Sequence, residues 1–169
     1  IEASGYSGDT EHRLTELLKG WSVEKIKRMG ASAVKILLYY RPDLTELARQ
    51  QLDTVNMVAR KCIEYDLPFL VEPRSYPIGN EIKSPPEFAR VKEQLVIDTA
   101  RDVTALPIDV LKAEFPADLA YKTDKSALIE LCRRLDRSSP VPWVILSGGV
   151  AFELFCQQVE IACRAGASG

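Results

Sequence analysis

Three charged residues stand where the core of a sheet has little use for charge. Lys112 lies between Leu111 and Ala113 in the run Asp109-Val110-Leu111-Lys112-Ala113-Glu114-Phe115, and Lys35 lies between Val34 and Ile36 in Ala33-Val34-Lys35-Ile36-Leu37-Leu38-Tyr39-Tyr40. Glu72 closes Phe69-Leu70-Val71 just before Pro73. The period of two in a strand puts Val110, Lys112 and Glu114 on one face and Leu111, Ala113 and Phe115 on the other. An ammonium on a buried face is costly, so it either finds a carboxylate or gives up its proton more readily. A lysine that is neutral near physiological pH is a nucleophile able to form a Schiff base with a carbonyl. Lys35 repeats the situation, and a second cation nearby pushes the first amine further towards neutrality. Glu72 supplies a carboxylate at the same strand ends, suited to proton transfer. On the residues alone an interior Lys–Glu salt-bridge network that sets strand register accounts for the pattern equally well.

Other chemistries have little support. The single histidine, His12, sits between Glu11 and Arg13 in a polar stretch, which excludes multi-histidine metal centres and leaves a Ser-His-Asp triad without a plausible base. The four cysteines, Cys62, Cys132, Cys156 and Cys163, are far apart and form no C-x-x-C, so they are expected to be buried free thiols rather than zinc ligands or a redox pair. No metal and no cofactor is expected. Ser147-Gly148-Gly149 offers small residues and backbone N–H groups ahead of a helix, a natural seat for phosphate, though a strand-to-helix glycine pair is often only a tight turn. Arg41 shares the parity of Lys35, Leu37 and Tyr39 and could meet a second anionic group, or be a surface arginine beside Pro42. Arg74 and Tyr76, on the loop after Glu72, are weaker candidates of the same kind.

These residues need elements to position them. The apolar runs at 33–40, 69–72, 109–115 and 143–147 read as strands buried on both faces. Amphipathic stretches at 22–29, 44–65, 86–105, 124–137 and 151–165 read as helices, with Ser22, Thr123 and Asp124 as starts and Gly30 and Gly166 as stops. The chain has 169 residues, 46% of them hydrophobic, 22 Lys+Arg against 24 Asp+Glu, and a net charge of -2, so one domain with a sizeable core is expected. The interspersed, balanced charge argues against nucleic acid as a partner. No apolar run suits a membrane span and residues 1–20 do not read as a secretion signal, so a cytoplasmic location is expected.

Strand starts recur every 34 to 40 residues, a series of β-α units with parallel strands and right-handed crossovers. An open doubly wound sheet suits the length. A (β/α)8 barrel, which typically needs about 250 residues, suits the polar residues at strand ends better, because an open sheet covered on both faces has no place for them.

The motifs Ala31-Ser32-Ala33-Val34-Lys35-Ile36-Leu37-Leu38-Tyr39-Tyr40, Pro68-Phe69-Leu70-Val71-Glu72, Ile108-Asp109-Val110-Leu111-Lys112-Ala113-Glu114-Phe115-Pro116 and Leu146-Ser147-Gly148-Gly149-Val150 resemble those of the class I tagatose 1,6-bisphosphate aldolases, to which the sulfofructose-phosphate aldolases are related. The resemblance runs from Gly5-Tyr6 to Gly166-Ala167 with order and spacing kept. It implies a (β/α)8 (TIM) barrel in which these four strands are numbers 4 to 7 and Ile1-Glu2 is the tail of the third. The family's first strands, with an aspartate on the first, would precede Ile1, and its last strand would begin at Gly169. Residues 1–169 are therefore expected to be one partial barrel segment. The resemblance further implies Lys112 as the Schiff-base lysine, Glu72 as acid/base, Lys35 as an auxiliary lysine, and a small phosphorylated sugar as the partner, cleaved to dihydroxyacetone phosphate and a three-carbon aldehyde. It leaves a homo-oligomer open. The reading from a different class is a non-catalytic, open-sheeted α/β module that binds a small phosphorylated ligand.

Overall fold

The computed structural model describes residues 1–169. After an irregular N-terminal segment come α1 (Val23–Arg28), β1 (Val34–Tyr39), α2 (Thr45–Glu64), β2 (Phe69–Arg74), a 3-10 turn (Gly79–Ile82), α3 (Pro85–Thr104), β3 (Val110–Ala113), α4 (Lys125–Ser138), β4 (Trp143–Ile145) and α5 (Phe152–Cys163). Their ends follow local chemistry. Ser22 Oγ accepts from Lys25 N at 3.1 Å and Asp124 from Ser126 N at 3.0 Å, each satisfying an N–H that the first helical turn leaves without a partner. After α5 the chain turns at Gly166, whose φ is +125° and where a Cβ would collide with the Asp136 carboxylate, so a side chain is excluded twice over.

The strands form one parallel sheet in the order β1-β2-β3-β4. That order decides between the two candidate architectures. A doubly wound sheet reverses its strand order at a switch point so that helices cover both faces; here every crossover moves the same way, and right-handed crossovers then leave all the helices on one face. This is the arrangement of consecutive units of a (β/α)8 barrel. At the flanks, Ile1 N donates to Lys35 O at 3.0 Å beside β1, while Ser168 N reaches Trp143 O and Gly169 O accepts from Ile145 N, both at 2.8 Å, beside β4. Glu2 makes only an isolated antiparallel bridge with Leu17.

The 31-residue core lies between the sheet and the helices. Val34, Ile36 and Leu38 of β1 and Phe69 and Val71 of β2 share this core with Val55, Val58, Ala59 and Cys62 of α2, which packs on both strands, and with Leu128, Leu131, Cys132 and Leu135 of α4, sets spaced i, i+3, i+4, i+7 along each helix. The strands were expected to be buried on both faces, and they are not. β1 alternates buried with exposed or half-buried positions, because the four strands lie side by side with no strand facing them across the second face. That second face carries Lys35, Leu37 and Tyr39, and the charged residues of β2 and β3 share it.

The cysteine expectation also needs correction. Cys62 and Cys132 are buried, but Cys156 and Cys163 are exposed, since α5 turns Gln158, Ile161 and Ala162 inward and both thiols fall off that stripe. No helix is long and apolar enough to cross a membrane.

Candidate active site

Register places the charged residues in layers on the face opposite the helices. Lys35 is level with Leu70, and Leu37 one layer above it is level with Glu72. Val71 pairs with Leu111, so Lys112 follows in the Glu72 layer, where it pairs in turn with Val144. Lys35 therefore starts one layer below the carboxylate and Lys112 beside it. Both side chains reach the same oxygen: Glu72 Oε2 is 3.3 Å from Lys112 Nζ and 3.5 Å from Lys35 Nζ. Glu72 is buried, whereas Lys112 and Lys35 keep side-chain exposures of 35% and 42%.

The contacts are unequal in kind. Lys35 donates a hydrogen bond of 2.7 Å to Glu2 Oε1, and its approach to Glu72 is a second, looser charge contact. Lys112 has Glu72 as its only ion-pair partner. An interior salt bridge that repays its desolvation is closely hydrogen-bonded on both sides. Neither pair here is fully interior, and what separates them is the bond: Lys35 is hydrogen-bonded to Glu2 at 2.7 Å, whereas Lys112 meets Glu72 only as a looser charge contact at 3.3 Å. The site thus holds an anchored lysine, a buried carboxylate between two ammoniums, and a second lysine whose amine is free to turn towards an incoming group.

Glu2 was not singled out from the sequence. Burial works against its ionisation, but the Lys35 hydrogen bond and its own backbone N–H outweigh that and hold its carboxyl below the usual range. The pair joins residues 33 apart, so the only local signal was an acidic residue beside the expected strand tail. Glu114, on the parity of Lys112, does not pair with it. β3 ends at Ala113, and Glu114 instead accepts from Ser75 N at 2.7 Å and Ser75 Oγ at 2.5 Å.

Arg41 does not present a free guanidinium to a ligand. Its Nε and Nη2 meet Asp43 at 2.9 and 2.6 Å, and its Nη1 meets Glu81 at 2.6 Å and Tyr76 O at 2.7 Å. The side chain is 1% exposed. β1 ends at Tyr39, so strand parity no longer aims Arg41, and carboxylates from its own loop and from the 3-10 turn claim every nitrogen. Arg13 emerges instead as a cation without a carboxylate, its guanidinium 4.7 Å from the ring centres of both Tyr6 and Tyr76.

Ser147, Gly148 and Gly149 follow β4 and lead into α5. Gly148 and Gly149 have φ of +63° and +77°, left-handed values that favour glycine at both positions. Ala151 gives α5 no side-chain cap, which leaves its first N–H groups to the loop and whatever it binds. Ser147 and Gly148 line a cleft of about 80 Å³ together with Arg74. Larger grooves of about 230 and 290 Å³ lie among helix and loop residues away from both lysines. No three His, Cys, Asp or Glu side chains converge in a way that could hold a metal ion.

Comparison with known proteins speaks for the family and the fold. The family model described as DeoC/LacD family aldolase matches residues 1–169. A tagatose 1,6-diphosphate aldolase of Streptococcus mutans is 33% identical over 98% of this chain and 54% of its own length, and one of Lactococcus lactis is 32% identical over 99% and 55%. The chain thus spans about half the length of the curated relatives it matches. Among solved structures, an archaeal fructose-1,6-bisphosphate aldolase with its catalytic lysine bound to the carbinolamine intermediate superposes with a TM-score of 0.69 at 22% identity, covering 95% of this chain and 57% of that one. A fructose-bisphosphate aldolase from Slackia heliotrinireducens superposes with a TM-score of 0.68 at 18% identity, covering 94% and 48%. At those identities the likeness speaks for the fold, four successive units of a (β/α)8 barrel. The chain is a member of the DeoC/LacD family of aldolases.

Proposed function

We propose that the protein is a metal-independent, Schiff-base-forming aldolase that cleaves a phosphorylated ketohexose, of the tagatose 1,6-bisphosphate kind, to dihydroxyacetone phosphate and a three-carbon aldehyde. The observation that carries this reading is Lys112 Nζ at 3.3 Å from the buried Glu72 carboxylate, with Lys35 on the same oxygen. Family membership and the names of the relatives support it.

In this mechanism the unprotonated amine of Lys112 adds to the C2 carbonyl of the open-chain sugar. Glu72, holding the proton that Lys112 gave up to become the free amine, protonates the carbinolamine hydroxyl, water leaves, and an iminium joins Lys112 to C2. Removal of the C4 hydroxyl proton by the Glu72 carboxylate, ionised again after dehydration, lets C4 become an aldehyde carbonyl as the C3–C4 bond breaks. The bonding pair moves towards the iminium nitrogen and leaves an enamine on the C1–C3 fragment. Protonation at C3 regenerates an iminium, and water releases dihydroxyacetone phosphate and restores the Lys112 amine. Lys35, anchored by Glu2, sets the charge around Glu72 and Lys112, and Ser147-Gly148-Gly149 receives a phosphate group. Residues 1–169 act as one segment of a single barrel domain. A small phosphorylated sugar as the partner and a cytoplasmic location belong to the same proposal.

Trapping tests it. The whole protein incubated with dihydroxyacetone phosphate and borohydride acquires one reduced adduct, mapped by peptide mass to Lys112. Lys112→Ala loses adduct and cleavage, and Lys35→Ala weakens cleavage but still forms the adduct. An adduct on Lys35 reverses the two roles. Cleavage that a chelator abolishes, with no adduct, overturns the mechanism.

A further inference from the structure

The cleft beside the Ser147–Gly148 loop is built from more than that loop. Arg74 follows Glu72 at the end of β2, Glu114 follows β3, Lys92 projects from α3 and Gln158 from α5, and all four line it. Several of these polar groups lack a full complement of partners. Gln158 is 6% exposed, it lines the cleft, and no hydrogen bond within the chain reaches its side-chain amide. Arg74 Nε is buried without a hydrogen-bond partner, since its charge contact with Glu114 Oε1 at 3.5 Å is not aligned as a hydrogen bond. Lys92 Nζ stands 3.7 Å from the same oxygen, too far for a good bond. Buried polar groups in native proteins are nearly always paired, so the Arg74 Nε buried without a partner, with the unbonded Gln158 amide beside it in the cleft, points to a missing partner.

Charge says what kind of partner. Arg74 and Lys92 bring two cations against the one carboxylate of Glu114, whose Oε2 is already taken by Ser75 N and Oγ. The cleft is therefore net positive. A guanidinium, an ammonium and an amide are together a donor set for an oxyanion. The cleft of about 80 Å³ has room for a tetrahedral oxyanion.

We propose that Arg74, Lys92 and Gln158 form, with the Ser147–Gly148 loop, the pocket that reads the terminal oxyanion of the substrate, and that Lys92 and Gln158 determine specificity from the helices behind the sheet. The identity of the substrate as a sugar rests on the aldolase reading. The recognition of an oxyanion does not, so the probe is inorganic phosphate titrated calorimetrically into the whole protein. Lys92→Met and Gln158→Leu each weaken phosphate binding about tenfold or more, the usual worth of a hydrogen bond to a charged group, while Lys92→Arg restores it. KM for the phosphorylated ketose rises by the same factor in both weakened variants, and kcat at saturation holds. Unchanged phosphate affinity in Lys92→Met and Gln158→Leu, or a wild type that does not bind phosphate, overturns the proposal. A lowered melting temperature alone then makes Lys92–Glu114 a structural pair. Absence of a borohydride adduct in the wild type defeats the aldolase reading separately and leaves the phosphate titration to decide this one.

Discussion

Replacing Glu72 by glutamine keeps the shape of the side chain and removes the one negative charge that Lys112 and Lys35 share. The distances of 3.3 and 3.5 Å give a gross attraction of about 5 kcal/mol for each pair at an effective dielectric near 20. Both ammoniums are more than a third exposed, so water recovers most of that, and the net loss of stability is about 1 kcal/mol, a melting shift of no more than roughly 4 °C. Catalysis is affected on another scale. A carboxamide cannot give a proton to the leaving hydroxyl, and the loss of a positioned general acid lowers kcat by about 100-fold, or about 2.7 kcal/mol in the barrier. A coupled assay for dihydroxyacetone phosphate measures kcat, a thermal melt measures stability, and the rate of borohydride trapping reports dehydration directly. Trapping slows along with turnover, because the step that needs Glu72 precedes the iminium. Near-wild-type turnover with a small melting shift refutes the reasoning and leaves Glu72 as a salt bridge that sets register.

Two further outcomes follow from the same geometry. Arg41→Met strands the Asp43 and Glu81 carboxylates, and a urea titration finds a loss of about 3 kcal/mol, the low end for breaking a buried ion pair because Asp43 is half-exposed. The hydrogen bond and charge of Arg41 hold the Asp43 carboxyl below its ordinary value of 3.8, so the stability it contributes is complete above that pH and is lost as the pH falls through the lowered folded value; Arg41→Met flattens this acid branch. A thiol reagent at neutral pH modifies Cys156 and Cys163 of the folded protein and all four cysteines after denaturation, because burial shields Cys62 and Cys132 and pushes their thiols up to about 11 and about 12. Four reactive thiols in the native state contradict the packing of α2 and α4.

Much of this architecture is local in origin and so was legible in the residues. A period of two put Lys35 and Lys112 opposite the helix-facing valines and leucines, apolar spacing of three and four marked the helices, and Gly148 and Gly149 marked the passage from strand to helix. Strand type and face depend only on neighbours in the chain, which is why those features needed no coordinates. The partners of each charge did not follow in the same way. Lys35 finds Glu2 across 33 positions, Arg41 finds Glu81 across 40, and Lys92 and Gln158 come to the strand ends from two different helices. Arg41 shows the limit most clearly: its parity held only while the strand lasted, and two carboxylates beyond the strand end took it out of the site. Strand stagger and loop path decide which side chains meet at the C-terminal ends of parallel strands, and these are set by packing of the whole sheet against its helices rather than by any window of sequence.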